Sequence, residues 1–410
     1  MNDPSTDRVG DTAVARCVAG SADVFAAEHW GRAPLLSAAA SLPRDFTDLF
    51  DAHAVDELVS ARGLRTPFLR MAKEGSVLPA ARFTRGGGAG ASVADQAADD
   101  KVLTAMADGS TLVLQGLHRT WPPLVEFGAK LADELGHPVQ INAYITPPQN
   151  QGFSPHYDVH DVFVLQVTGR KKWTVHRPVV EDPLANQPWD ARRSLVEART
   201  AEAPVLETVL APGDAVYLPR GTIHAAQALG ELSIHLTVGV HPLTRYDLVQ
   251  RLLEAVQDDP ALRASLPMGV DLADPAVLAP ALQDTVGALQ RALADVPVSR
   301  VADELGTNLM RRTRPVALGP LAQLDLAERL AVDTALRLRA ALRYRFADTG
   351  ERLQIVLLDR TVELPAGTAE AVKIALAGAP FTPANLPGLE PAEQLTLARR
   401  LVREGLLVVA

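Results

Sequence analysis

The chain has 410 residues, 47% of them hydrophobic and 22% charged, which is enough for two or three domains with cores of their own and too apolar for a disordered protein. A net charge of −9 argues against a broad phosphate-binding surface, so direct nucleic-acid binding is not expected. The one cysteine, Cys17, rules out an internal disulfide framework and a cysteine-rich zinc site, and it fits a reducing compartment.

Met1 to Val14 is polar and acidic, without a basic stretch followed by an apolar one, and no apolar run reaches the ~18 residues of a membrane-spanning helix. A cytoplasmic protein with no membrane contact is the expectation. Residues 1–135 read as a mixed N-terminal region packing on the neighbouring domain, with short helices and loops from about Gly20 to Leu135. The stretch Gly86-Gly87-Gly88-Ala89-Gly90 lacks the lysine of a phosphate loop and reads as a surface turn.

Over residues 136–242 the texture changes to short alternating runs broken by Pro and Gly, the pattern of antiparallel strands in a sandwich or barrel. Gln140, Asn142, Tyr144 and Thr146 share one face of the first run, opposite Ile141, Ala143 and Ile145. Ser233, His235 and Thr237 likewise oppose Ile234, Leu236 and Val238. Such polar stripes face either solvent or the interior of a barrel that holds a metal and a charged small molecule.

Residues 243–316 turn helical, with Leu248, Leu252, Leu253 and Val256 on one face and a similar register from Val277 to Ala294. Pro260, Pro267, Pro275 and Pro280 are expected to divide this zone into several helices, a plausible dimer interface. Residues 317–410 mix the two textures. Leu353–Leu358, Val362–Leu364 and Leu406–Val409 read as extended, whereas Gly367–Leu376 and Pro391–Glu404 read as helical, a mixture compatible with a winged-helix unit. Basic and acidic residues are equal in number from Leu321 to Ala410, so a structural or protein-contact role is expected there rather than DNA binding.

Chemistry concentrates between these helical zones. His156-Tyr157-Asp158 begins one β-like run, and His224 comes after a second, in Pro219-Arg220-Gly221-Thr222-Ile223-His224. Two imidazoles and a carboxylate from separate strands can occupy one face of an octahedral metal and leave three positions open, as in non-haem Fe(II) oxygenases. A lone His-x-Asp triplet is a weak signal, but Ser154-Pro155 forms a turn before it and Val162–Val167 a strand after it. On the partner segment, Pro212-Gly213-Asp214 is a tight turn feeding Val216–Leu218, so His224 can lean back toward the first pair. Arg170-Lys171-Lys172 would ordinarily be a solvated hairpin tip, yet Lys171 shares its strand face with Trp173 and Val175. An inward lysine there calls for a carboxylate partner. Gln166, His235 and Thr237 are candidates to orient the histidines, and His160 and His176 read as surface or rim residues.

The stretches Asn142–Pro148, Gln151–Asp158 and Gly169–Trp173 resemble the JmjC-type ribosomal oxygenases of the cupin superfamily, of the bacterial type, and Glu28–Leu36 is similar to that family's N-terminal segment. The resemblance implies an α+β fold: a double-stranded β-helix (cupin/JmjC barrel), then a helical dimerisation region and a C-terminal winged helix. It implies an Fe(II)- and 2-oxoglutarate-dependent dioxygenase that hydroxylates a protein or peptide side chain, with a ribosomal protein as the suggested substrate and a homodimer as the assembly. Carried over residue by residue, His156, Asp158 and His224 would hold iron, Lys171 the distal carboxylate of 2-oxoglutarate, Asn142 would lie at the cosubstrate and Tyr144 at the substrate. Gly239 departs from the family, where some relatives are expected to carry a serine lining the pocket. Two other readings are a metal-dependent cupin enzyme that does not use 2-oxoglutarate and a non-catalytic cupin binding protein.

Overall fold

The computed structural model describes residues 12–73, 75–148 and 154–410. Most of the polar N-terminal stretch, Met1–Asp11, and Gln151–Phe153 of the second family-like motif lie outside the described residues. Eleven strands build the barrel region: β1 (Leu35–Ser37), β2 (Leu69–Lys73), β3 (Ser76–Val77), β4 (Thr111–Leu114), β5 (Val139–Thr146), β6 (Asp161–Thr168), β7 (Lys171–His176), β8 (Leu206–Leu210), β9 (Ala215–Leu218), β10 (Ile223–Ala228) and β11 (Ser233–Val240). They form an antiparallel eight-stranded sheet in the order β1-β9-β6-β11-β5-β4-β2-β3, facing a three-stranded sheet β8-β7-β10. The N-terminal region therefore contributes strands β1 to β4 to the larger sheet, beyond the helices and loops its sequence suggested. Those strands are short, and a few residues carry too little period-2 signal to be read alone.

The period of two explains which way each stripe faces. Ile141, Ala143 and Ile145 of β5 and Ile234, Leu236 and Val238 of β11 join a core with Phe25, Phe46, Leu124 and Leu131 on the outer face of the large sheet. That core is closed by helices α1 (Ala52–Ser60), α2 (Asp99–Ala107) and α3 (Pro122–Leu135). With one face covered by helices, the polar stripes point between the two sheets, so the interior alternative holds and the solvent-face alternative does not. Register pairs His235 with Tyr144 and Thr237 with Asn142, making these side chains cross-strand neighbours. Farther in, Val162, Val164, Trp173, Val175, Leu210, Val216 and Leu218 fill the space between the sheets with an apolar plug.

Two glycines fix the turns that aim the site. Gly169, at φ +63°, makes the hairpin between β6 and β7 that starts β7 on Lys171, and a Cβ there would strike the Leu232 carbonyl. Gly221, at φ +81°, turns the chain just before His224, where a Cβ would lie 2.6 Å from the Val180 oxygen. The same turn is held by Asp161, whose Oδ1 accepts from the Arg220 N–H at 2.8 Å.

After a short helix, α4 (Arg193–Thr200), in the loop region before β8, the chain leaves the barrel through α5 (Arg245–Ala255), α6 (Pro275–Ala294) and α7 (Val298–Arg312). Thr244 and Asp247 form a reciprocal cap at the start of α5. Pro280 does not divide this zone as its sequence suggested: it lies inside α6, which continues past it. The C-terminal part holds α8 (Pro320–Arg329), β12 (Leu336–Leu338), β13 (Arg345–Asp348), β14 (Arg352–Val356), β15 (Thr361–Pro365), α9 (Ala369–Ala375), α10 (Pro391–Arg403) and β16 (Leu407–Val409). β13, β14 and β15 form one antiparallel sheet and β12 pairs with β16. This part has its own core, built on Leu336, Ile355, Val372, Leu401 and Leu407, separate from the barrel's. No helix is long and apolar enough to cross a membrane among the described residues.

Candidate metal centre

The candidate metal-ligand set assembles through backbone pairing. His156 N–H donates to His224 O at 3.2 Å and His224 N–H to His156 O at 2.8 Å, and Gly221 N–H donates to Asp158 O at 2.9 Å. This bridge welds the segment that carries His156 and Asp158 onto the edge of β10. His224 is the second residue of β10 rather than a residue beyond a strand end, because the strand restarts after the Pro219–Gly221 turn. One ligand atom from each of His156, Asp158 and His224 lies within 4.8 Å of the others, and His224 Nε2 stands 3.7 Å from Asp158 Oδ2.

Each histidine is oriented by a backbone carbonyl two residues before it. His156 Nδ1 is 2.8 Å from Ser154 O, and His224 Nδ1 is 3.0 Å from Thr222 O. A carbonyl only accepts, so both rings carry their proton on Nδ1 and present the Nε2 lone pair to the ligand position. These carbonyls take the role that the sequence assigned to His235, Thr237 or Gln166. Backbone acceptors have no side-chain signature, which is why the sequence could not reveal them. Burial lowers the His224 pKa to about 4, and the neighbouring His156 adds to the effect, so the ring is neutral at pH 7. Burial alone would raise the Asp158 carboxyl, but His160, His224 and His156 together hold it below its ordinary value. Two imidazole nitrogens and a carboxylate make a donor set suited to a first-row divalent metal.

The cluster opens onto a cavity of about 500 Å³ between the sheets, also lined by Tyr144, Lys171, Trp173, His235 and Thr237. Lys171 is 2% exposed, so the inward placement holds against the hairpin-tip alternative. Its Nζ donates to Thr146 Oγ1 at 2.9 Å, and among the described residues it forms no ion pair. Burial pulls its pKa down to about 7. Register places Lys171 opposite Ala228 and His224 opposite Val175, a separation of four residues, or about 13 Å along the sheet. The lysine and the metal cluster thus stand at two ends of one cavity.

Tyr144 lines the same cavity, stacked on the His235 ring at 5.0 Å and 4°. Burial raises its pKa. His235 is 3% exposed and its Nδ1 has no hydrogen-bond partner among the described residues. Asn142 is not among the cavity-lining residues; its side-chain oxygen accepts from the Gly116 N–H at 3.1 Å. His176 is buried within β7, not at a rim, and half-buried His160 contacts Gln140. A Cβ on Gly239 would lie 3.0 Å from His160 Cε1 and 3.1 Å from Gln140 Cγ, so these two side chains fill the space that a serine would need. The sequence reading missed Arg70 of β2, Trp189 just before α4 and Arg193 at its start, all of which line the cavity. Trp189 carries the Arg193 guanidinium 4.9 Å from its ring centre and lies 6.1 Å from the His156 ring. Arg70 sits on a strand too short to show its alternation, so only the pairing of β2 with β4 reveals where it points.

An antiparallel double-stranded β-helix with two histidines and an aspartate at the mouth of its cavity is the architecture of the JmjC class of cupins. Residues 124–248 match the JmjC domain family. Rat ribosomal oxygenase 1 is 35% identical over 219 residues, which cover 48% of this chain and 35% of that protein. A Drosophila erecta protein described as a bifunctional lysine-specific demethylase and histidyl-hydroxylase NO66 is 37% identical over 137 residues, 32% of this chain and 20% of its own length. The chain thus spans about a third or less of these relatives. The Escherichia coli ribosomal oxygenase YcfD superposes with a TM-score of 0.54 at 18% identity, covering 96% of this chain and 99% of its own. YcfD in complex with cobalt and 2-oxoglutarate gives a TM-score of 0.52 over 94% and 97% of the two chains. At that identity the likeness is one of fold. Residues 124–248 thus carry a JmjC domain, and the chain is similar over that region to JmjC-type ribosomal oxygenases.

Proposed function

We propose that this protein is an Fe(II)- and 2-oxoglutarate-dependent oxygenase that hydroxylates a protein side chain, with a ribosomal protein as the substrate suggested by its relatives. One observation carries the reading: a two-histidine, one-aspartate cluster shares a cavity with a buried lysine that has no carboxylate partner among the described residues. A buried unpaired ammonium is costly, and a dicarboxylate reaching from the metal position to Lys171 would relieve that cost. When bound, the metal and cosubstrate would supply the oxidising chemistry with dioxygen as oxidant: one oxygen atom enters succinate as 2-oxoglutarate loses carbon dioxide, and the other is inserted into a substrate C–H bond.

The protein's own contribution is placement and exclusion. His156, Asp158 and His224 would hold the metal on one face, with both rings fixed by the Ser154 and Thr222 carbonyls. Lys171, steadied by Thr146, would anchor the far end of the cosubstrate and so set the angle at which its near end reaches the metal. Trp173, Val162 and Val164 close the inner wall with apolar surface and keep water from that end. Tyr144, Trp189 and Arg193 line the cavity near the triad, where a substrate side chain would enter. Asn142 would act through the Gly116 backbone, steadying β5 rather than touching the cosubstrate.

Further parts of the reading rest on the helical and C-terminal segments. Leu248, Val249, Leu253, Val277, Leu282 and Val286 are exposed on α5 and α6, apolar surface suited to a second copy of the chain. The order of α8, β12 to β15, α9, α10 and β16 suits a winged helix with a structural role. With a single buried thiol, the chain suits the cytoplasm.

The test is anaerobic titration with Fe(II) and 2-oxoglutarate, following the visible charge-transfer band of the ternary complex. The band is expected in wild type, absent in Asp158→Ala and weakened in Lys171→Ala. Folded, metal-loaded wild-type protein that gives no band would remove 2-oxoglutarate from the account and favour a metal cupin of another kind.

A further inference from the structure

We propose that the groove between the barrel and the C-terminal domain is a second ligand site, one that binds a small organic phosphate. A cavity of about 720 Å³ lies there, walled by the helical turn Leu117–Thr120, the connector over residues 313–318 and the C-terminal segments around Leu342 and Leu357. It is separate from the metal centre and shares no lining residue with it.

Its charge is strongly one-sided. Arg119, Arg314, Arg339, Arg343 and Arg360 line it, and Arg312 joins Arg119 and Arg314 in the adjoining recess. The two acidic residues in the lining are already engaged: Arg360 pairs with Asp359 at 3.1 Å and with Glu404 at 3.2 Å, and Glu404 also receives Arg400 at 2.9 Å. Arg343 is paired with Asp133 at 3.1 Å, and Arg339 Nε donates to the Val316 carbonyl at 2.7 Å. The side chains of Arg119, Arg312 and Arg314 form neither an ion pair nor a hydrogen bond among the described residues. Four guanidinium groups therefore stand around one groove without a carboxylate, in a chain whose net charge is −9.

These charges act on one another. Burial and then Arg314 lower the pKa of Arg119, and Arg312 contributes, after burial, to lowering those of His137 and His241. Like charges held together in a concave site repel, and a multiply charged anion turns that repulsion into attraction. The planar donor fork of arginine matches phosphate oxygens in a bidentate way, which a lone lysine cannot do. Val125, Met310, Leu318 and Leu342 add apolar wall beside the charges, so the site suits a phosphate attached to an organic body better than the bare ion. An occupant would touch the barrel's helical cover, the connector after α7 and the C-terminal domain at once, and would fix their relative position.

Isothermal titration of the full chain, metal-free, with AMP and with inorganic phosphate tests this. AMP is expected to bind with one-to-one stoichiometry and more tightly than inorganic phosphate. The Arg119→Gln/Arg314→Gln double variant should lose roughly tenfold or more in affinity, about 1.4 kcal/mol or more. Arg82→Gln, an exposed arginine elsewhere, should leave the affinity unchanged, and so should Lys171→Ala, which alters the barrel cavity. The substituted side chains are exposed, and Arg314→Gln alone gives the same reading if the double variant misfolds. No AMP binding, equal affinity in the variants, or a loss in Lys171→Ala as large as in the double variant would overturn the proposal. A single-stranded RNA that binds far more tightly than AMP, with a steep salt dependence, would overturn it in favour of a nucleic-acid surface.

Discussion

Replacing Lys171 by methionine should separate the protein's binding from its stability. The lysine is 2% exposed, is held among the described residues by Thr146 at 2.9 Å, and has its pKa pulled down to about 7 by burial. In the ligand-free protein it is charged below pH 7 and neutral above. Binding a carboxylate requires the charged form, so above pH 7 binding must take up a proton. Affinity for 2-oxoglutarate should then fall by up to about tenfold per pH unit from pH 7 upward. Lys171→Met removes a charged hydrogen bond worth about 1.5–3 kcal/mol, a loss of roughly 10- to 100-fold in affinity at pH 7, and it flattens the pH dependence. Stability should move the other way. The folded pKa is depressed, so below about pH 7 the lysine is charged in folded and unfolded chain alike and the full burial penalty is present. As pH rises from 7 toward the free-lysine value of ~10.4, the folded protein gives up its proton first and stability increases. Methionine removes the penalty, and the metal-free variant should be more stable by ~1–4 kcal/mol at pH 7. Anaerobic titrations at several pH values and urea unfolding of the metal-free proteins measure both quantities. Equal 2-oxoglutarate affinity in wild type and variant, or a methionine variant less stable than wild type, would refute the reasoning.

The same geometry sets other expectations. His156→Ala, Asp158→Ala or His224→Ala should abolish the rise in melting temperature that cobalt gives the wild type, because each removes one donor of the cluster; an undiminished shift in all three would place the metal elsewhere. Thr146→Val should weaken 2-oxoglutarate binding by less than Lys171→Met does, since the lysine survives but loses its hydrogen bond to the hydroxyl; identical losses would mean that Thr146 contacts the cosubstrate itself. Gly239→Ala should cost about 1 kcal/mol in urea unfolding, because its Cβ would press on His160 and Gln140, while the metal-dependent melting shift persists. Leu401→Ala, in the separate C-terminal core, should cost about 2–5 kcal/mol in that domain's unfolding and leave cobalt binding intact; a lost metal site would mean that the two cores unfold as one.

Elements whose pattern is long enough to read were legible from the amino acids alone. The alternation of Val139–Thr146 and Ser233–Val240 marked two strands with one apolar and one polar face, and the helix over Pro391–Arg403 showed in its periodicity. His156, Asp158 and His224 stood out because a metal demands those residue types, and Lys171 because its strand neighbours are apolar. Packing settled what lies on the far side of each face. Helices covering Ile141 and Leu236 turned the polar stripe inward, a choice that depends on which surface is covered and not on the stripe. Packing also settled how the histidines are held, since the Ser154 and Thr222 carbonyls belong to a backbone that every residue shares and carry no signature. Arg70, Trp189, Arg193 and the arginine groove reach their places through pairing and docking of segments far apart in the chain. A local pattern records the faces of one element, whereas a site records the meeting of several.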